Sequence, residues 1–482
     1  MERPHTSALL VLDWLASDPP KYWGIMGSES LFSRLAIVSV AVYVHEDSEQ
    51  GSALTISRGP NWIHGSKDNP ILQIAKEMRD VCFEPPDGGD AQSPVFDKMG
   101  NEIDGKIALK HSAISWKIVE EAIQYSRSDH GASIPPGKSL KDYFEVALAV
   151  REYDTSMRDL ILQMADMWSN IVGEPIHKQS LRYMWLEECI EGGEMNEFRK
   201  VLESAEIHLN TKVIAIKSQS TSADEQRQIL VRTEDGREKY FDEVILTTPL
   251  GWLKRHLSAL TPELPLTVTN AINHVGYGRL EKVYITFPRA FWQDSSQKTG
   301  KPFIFQFLAP TYASDHNPER WTIECISLAA LPPPCNHASL LFYLNGPCSE
   351  YVTSLVRGTK AGSKEYCEKL ESFFSPYYSL LANFDPGTCK PLSFCSTDWQ
   401  NDELAGNGSY STFQISDYDR EGLVELDKDL EVLRIGCPER NLWFAGEHTA
   451  PTLALGTTTG AYWSGDAVAQ RISRVYGMGK ND

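Results

Sequence analysis

The chain has 482 residues, 41% of them apolar, so it can bury more than one core, and its length points to two or three domains. A formal net charge of −19 argues against nucleic acid as a partner, because phosphate contacts need clustered Lys and Arg. Nine cysteines form no CxxC pair, which speaks against a zinc site or a disulfide framework, places no metal in the expectation and suits a reducing compartment.

Residues 9–12 are apolar, but Asp13, Asp18 and Pro19-Pro20 follow, a poor secretory signal. The apolar run at 35–44 is too short to span a bilayer, so a soluble, cytoplasmic protein without a membrane partner is expected. Asn69-Pro70 opens a helical spacing of Ile71, Leu72, Ile74, Ala75 and Met78, with proline at the first helical position. Residues 139–171 are helical in pattern, and Ser156 and Asp159 have the spacing of a capping box. A small β-meander follows at 207–217, 228–233 and 237–248, with Asp235-Gly236 as a turn and a buried last strand. Residues 276–288 read as a strand of period two, with Val283, Ile285 and Phe287 on one face and Lys282, Tyr284 and Thr286 on the other. Strands at 321–331 and 339–346 and a helix at 363–374 complete a mixed α/β pattern. Asn407-Gly408-Ser409 is a glycosylation sequon, expected to go unused. The chain closes with a short strand at 441–445, a loop through Gly446 to Thr449, and a helix from about Thr457 to Ile472. Gly460, Ala461, Ser464 and Gly465 give that helix a small-residue face, which lets a backbone or a planar ligand approach closely, or simply allows tight helix-to-sheet packing. Its amino terminus presents unpaired N–H groups suited to an anion.

The string NLWFAGEHTAPTLALGTTTGAYWSG at 441–465 closely resembles the carboxyl-terminal flavin signature of the flavin-containing amine oxidases, nearest to fungal polyamine-oxidase-like proteins. The resemblance extends over residues 59–473 and implies an FAD-binding Rossmann-like (amine oxidase type) α/β domain with an interleaved α+β substrate-binding domain. The first is placed at 1–65, 205–260 and 390–482, the second at 66–204 and 261–389. It implies FAD contacts at Glu447, Thr457 and Thr458 and, within RGPNWIHG at 58–65, at Asn61 and Trp62. His64 matches a position lining the polyamine-oxidase active site, or is a packed or surface histidine. Within IHLNTKV, Val213 matches a residue whose backbone reaches the adenine end. GYGRLEKVYITFPRAFW at 276–292 resembles the family strand whose lysine, here Lys282, holds a water against the flavin; the alternation alone permits a solvated lysine as well. TDWQNDELAGNGSYSTF at 397–413 matches two aromatics near the flavin face at Trp399 and Tyr410, positions equally suited to core packing.

One departure stands out. Family members open with a strand, a GxGxxG turn and a helix, whereas before Pro60 this chain has only Gly24, Gly27, Gly51 and Gly59, so the amino-terminal βαβ unit is incomplete. Losing pyrophosphate contacts of that kind is expected to cost several kcal/mol, on the order of two or three charge-assisted hydrogen bonds. The activity implied is oxidation of an amine C–N bond: FAD takes a hydride from the carbon beside a neutral amine, water hydrolyses the imine to an aldehyde and an amine, and dioxygen yields hydrogen peroxide. A spermine- or spermidine-like amine and dioxygen are the expected partners. The alternatives are an interaction protein that keeps the scaffold without FAD, and another flavin oxidase acting on a specialised amine. A histone demethylase is disfavoured, since the chain has no room for the long helical insertion of those relatives.

Overall fold

The computed structural model describes residues 8–12, 23–26, 42–46, 53–57, 59, 61–63, 65, 69–72, 93–128, 131–151, 153–188, 206–208, 211–218, 228–293, 302–333, 335–415 and 424–476. The chain forms two compact units, one from Met1–Met78, Leu186–Tyr277 and Asn401–Asp482, the other from Arg79–Trp185 and Gly278–Gln400.

The first unit is built on a five-stranded sheet in the order Leu442–Phe444, Glu243–Leu246, Ala8–Leu12, Trp23–Met26, Glu206–Ile207. The first three strands are parallel, in register Val244 to Leu442 and Ala8 to Glu243. Glu243–Leu246 is buried along its whole length, as a strand covered on both faces must be. Its one charged member, Glu243, accepts hydrogen bonds from Trp443 Nε1 at 2.7 Å and Tyr476 Oη at 3.0 Å. The expected meander is present as Val213–Ser218, Ile229–Thr233 and Glu238–Phe241, antiparallel in sequence order. Its second turn closes with Gly236 at φ +83°, a conformation glycine adopts without penalty, and Gly236 N–H donates to the Thr233 carbonyl at 2.9 Å. Of the helix expected from Asn69-Pro70, residues 70–72 are helical and the remainder lies outside the described residues.

The second unit has a six-stranded sheet in the order Ser393–Ser396, Leu280–Thr286, Ser339–Asn345, Ile323–Ser327, Ile304–Phe307, Val95–Phe96, antiparallel except for the last pair. Strand alternation puts Val283, Ile285, Phe342, Cys325 and Phe305 on one face, where they meet Phe373 and Phe374 in the main core. Phe342 and Phe374 rings lie 4.7 Å apart, and Phe374 belongs to the helix Lys364–Tyr378. A second core, with Ile118, Phe144, Leu148 and Ile161, binds the helices Gly105–Arg127, Leu140–Val150 and Thr155–Ala165 together.

Two expectations about elements need correction, and one open alternative is decided. The capping box proposed at Ser156 and Asp159 is absent; Asp154 caps the helix Thr155–Ala165 by accepting from Met157 N–H, and a true capping box lies at Ser139 and Asp142. The strand expected over 276–288 is interrupted, with Gly276–Tyr277 pairing in the first unit and Leu280–Thr286 in the second. That second piece is buried on both faces from Leu280 to Ile285, so Lys282 is not a solvated residue. Among the described residues no helix is long and apolar enough to cross a membrane.

Candidate active site

In the first unit the polar groups gather where parallel strands end. Glu243–Leu246 runs into Thr248, a hydroxyl 1% exposed whose Oγ1 has no partner among the described residues. Leu442–Phe444 runs into Gly446 and the turn Glu447–Thr449, in which His448 is 1% exposed and its Nε2 is likewise unpartnered. Burial pushes the His448 imidazole down to about 4, so it is neutral near pH 7. The carboxyl ends of parallel strands are where open α/β sheets take their ligands.

The turn leads into the helix Thr458–Val475. Thr457 is its N-cap, and its hydroxyl accepts from Gly460 N–H at 3.0 Å. Thr458 and Thr459 then open the helix with N–H groups directed away from its own turns. Asn69 ties a second segment to this terminus. Its Nδ2 donates to the Gly65 carbonyl at 2.8 Å, and its Oδ1 accepts from Ile71 N–H at 2.9 Å and from the Thr459 hydroxyl at 3.1 Å. Asn61 and Trp62 lie half-buried just upstream in that segment. His64 lies outside the described residues. The Glu447 carboxylate gathers the next group: it accepts from Ser411 N–H at 3.0 Å, from the Ser411 hydroxyl and from Gly456 N–H. Burial nevertheless lifts its carboxyl to about 7, with those hydrogen bonds pulling the other way. Tyr410, next to Ser411, stands against Gly456, where an added Cβ would lie 3.5 Å from its ring. Tyr410, Glu447, Thr457 and Thr458 are thus drawn together, and Asn69 ties the segment that carries Gly65 to the same helix terminus. Val213 opens a strand of the four-stranded sheet in the same unit and, among the described residues, is not joined to that cluster by a hydrogen bond. The small-residue face of the helix is filled by protein: a Cβ on Gly460 would fall 1.9 Å from the Ala454 carbonyl, and Ser464 Oγ accepts from Gly446 N–H at 2.8 Å. What remains for a ligand is the helix terminus, not that face.

In the second unit Lys282 and Trp399 are joined through their neighbours. Lys282 N–H donates to Thr397 Oγ1 at 2.8 Å, and Thr397 N–H donates to the Lys282 carbonyl at 2.9 Å. Thr397 in turn donates its hydroxyl to Glu281, whose carboxylate also accepts from the N–H groups of Gln400, at 2.9 Å, and Trp399. Glu281 is 1% exposed, and burial raises its carboxyl to about 7 against the pull of these donors. The Lys282 side chain is 6% exposed, and its Nζ sits 5.8 Å from the centroid of the Tyr343 ring. Trp399 is 8% exposed. Glu281, Thr397 and Ser411 were not singled out from sequence, and Asn69 was read only as opening a helix; an acidic or hydroxyl residue in a strand or turn carries no pattern that distinguishes such a role.

Residues 186–473 match the family model of flavin containing amine oxidoreductases, more than half of the chain. The chain belongs to that family. It is a flavin-containing amine oxidoreductase, its cofactor is FAD, and its fold includes the family's FAD-binding Rossmann-like architecture. The unpartnered Thr248 and His448 atoms and the open helix terminus at Thr458 are polar groups of the kind such a cofactor would satisfy. Over 464 residues the chain is 26% identical to the corticosteroid-binding protein of Candida albicans, covering 89% of this chain and 87% of that one. It is 23% identical over 448 residues to probable polyamine oxidase 4 of Arabidopsis thaliana, covering 89% and 80%. With the peroxisomal N(1)-acetyl-spermine/spermidine oxidase of Bos taurus it shares 23% identity over 472 residues, covering 89% and 87%.

Proposed function

We propose that this amine oxidoreductase oxidises a spermine- or spermidine-like amine at the carbon beside a neutral nitrogen, giving an imine that water hydrolyses to an aldehyde and a shorter amine. FAD, when bound, supplies the two-electron acceptor for that C–H bond and passes the electrons to dioxygen as hydrogen peroxide. The residues assigned to its binding are Asn61, Trp62, Val213, Glu447, Thr457 and Thr458, within a cofactor domain of residues 1–65, 205–260 and 390–482. Substrate binding is assigned to 66–204 and 261–389. The amino-terminal βαβ unit is read as incomplete, because glycines before Pro60 have no GxGxxG spacing. The site of action proposed is the cytoplasm.

Lys282 carries this reading. It is 6% exposed on an interior strand of the six-stranded sheet, and its main chain is tied through Thr397 to the segment that carries Trp399. On the family resemblance, Lys282 is assigned to hold the water that hydrolyses the imine, Trp399 and Tyr410 to confine the amine, and His64 to a lining position. Two polyamine-oxidase relatives at 23% identity support an amine of this class. The full-length chain, purified and loaded with FAD, is expected to be yellow and to release peroxide with spermine and not with amino acids. Lys282→Met should keep its flavin spectrum and slow turnover by about tenfold or more, the scale of one positioned proton-transfer or water-holding group. A colourless chain that cannot be loaded with FAD would sink the proposal, and unchanged kinetics in the Lys282 variant would remove that residue's role. Because one relative is named a corticosteroid-binding protein, a corticosteroid belongs in the same panel, as does a range of specialised amines.

A further inference from the structure

One row of the six-stranded sheet in the second unit is polar where its neighbour is apolar. Cross-strand partners run from Lys282 to Tyr343, from Tyr343 to Glu324 and from Glu324 to Gln306, so these four side chains share one face. All four are buried, between 4% and 8% exposed. Two residues along the strands, the row Tyr284, Leu341, Ile326, Ile304 on the same face is apolar apart from one phenol.

A carboxylate and an amide side by side in a buried row cost stability unless their polar atoms are used. Glu324 is held in place by Asn170, whose side chain donates to it, while Asn345 Nδ2 donates to Asn170 Oδ1 at 2.7 Å. Gln306, one strand further, is only 4% exposed, yet its Oε1 has no donor among the described residues. Together they form a pair of acceptors without a shared donor. An ammonium group, with two or three N–H donors and a positive charge, is the group that satisfies both.

We propose that Glu324 and Gln306 bind the distal ammonium of a di- or polyamine whose reacting carbon lies at the Lys282 end of the row. Adjacent strands are about 4.8 Å apart, which puts Glu324 about 10 Å and Gln306 about 14 Å from Lys282 along the row. That span fits an amine with at least two nitrogens separated by methylenes, which would pass over Tyr343 and beside the apolar row. The inference rests on the reading of Lys282 as a residue of the reaction centre.

The test compares spermidine with hexylamine, which lacks a distal nitrogen, by calorimetric binding to the full-length FAD-loaded protein and by KM in peroxide release. Glu324→Gln is expected to weaken spermidine binding about tenfold or more, a loss well above any change for hexylamine, and to act on KM more than on kcat. Gln306→Met should weaken spermidine by a smaller factor, and Glu324→Asp should recover part of the loss. If Glu324→Gln does not fold by circular dichroism, the Gln306 variants decide in the same way. Equal factors for the two amines, or unchanged spermidine binding, would overturn the subsite and leave amine oxidation standing. A wild-type protein that oxidises hexylamine but does not bind spermidine would do the same, whereas one that binds and oxidises neither overturns both proposals.

Discussion

Glu281 and Lys282 are neighbours in the chain, yet their side chains leave the strand on opposite faces and do different work. Lys282 enters the polar row beside Tyr343, while Glu281 gathers Thr397 and the backbone N–H groups of Trp399 and Gln400 and so holds the main chain from which Trp399 projects. Glu281 is a positioning residue. Glu281→Ala should leave a buried hydroxyl and two N–H groups unpaired, at a cost of about 3 kcal/mol or more, since each unsatisfied buried group costs about 1–3 kcal/mol. The check is thermal unfolding together with kinetics: a lowered Tm and a raised amine KM in Glu281→Ala, with partial recovery of both in Glu281→Gln, which keeps one acceptor. An alanine variant with wild-type Tm and KM would contradict this. Sequence pattern could not find this role, because an acidic residue at one position of a strand looks the same whether it faces water or a buried turn. Lys282 was legible only through the string around it; the alternation of 280–286 permitted a solvated lysine, and burial of both faces depends on what covers the sheet.

At the scale of elements, the helix Thr458–Val475 was readable at its start, expected from about Thr457, while its end lies three residues beyond the expected Ile472. Which use its small residues serve was not readable, since a ligand and a packed backbone demand the same absence of side chain. The structure decides at Gly460, where the space for a Cβ is taken by the Ala454 carbonyl at 1.9 Å and the Ala450 Cβ at 2.6 Å. Gly460→Ala is therefore expected to destabilise by about 1–3 kcal/mol, in the range of overpacked sites, and to disturb flavin loading by shifting Thr457 and Thr458. Gly137→Ala, where a Cβ meets nothing within 4 Å, serves as the control and should be close to neutral in thermal melts. Equal Tm values for the two variants would show that the helix terminus is not held by this contact. The misplaced cap of Thr155–Ala165 has a similar origin. Asp154, Ser156 and Asp159 all have plausible spacings, and only the extended backbone at Asp154, φ −65° and ψ 163°, selects the cap.

For the molecule as a whole, buried carboxyls set an unusual pH dependence. Burial lifts Glu281, Glu324 and Glu447 to about 7 and Glu187 to about 8, from an unperturbed 4.5. Between pH 6.5 and 8 the unfolded chain has already lost these protons while the folded chain is still releasing them. The unfolded state then binds fewer protons, so stability falls as pH rises through this window. His337 and His448, depressed to about 4, act in the opposite sense, mainly below their unperturbed 6.5 and only weakly above it. Calorimetric Tm should thus be lower at pH 8 than at pH 6.5 by a few degrees, and a Tm that rises across that interval would contradict the burial of these groups. Membership in the amine oxidoreductase family was determined by sequence alone, because the 441–465 string and its companions are contiguous and each carries its signal locally. The meander, the last strand and the last helix were legible for the same reason: periodicity and caps are short-range. Tertiary structure alone decided that Lys282 is buried, that Glu281 braces Trp399, and that Lys282, Tyr343, Glu324 and Gln306 form one row. Those four residues come from four strands separated by up to 61 positions, and what aligns them is strand register, a property of paired chains that no local run of residues encodes.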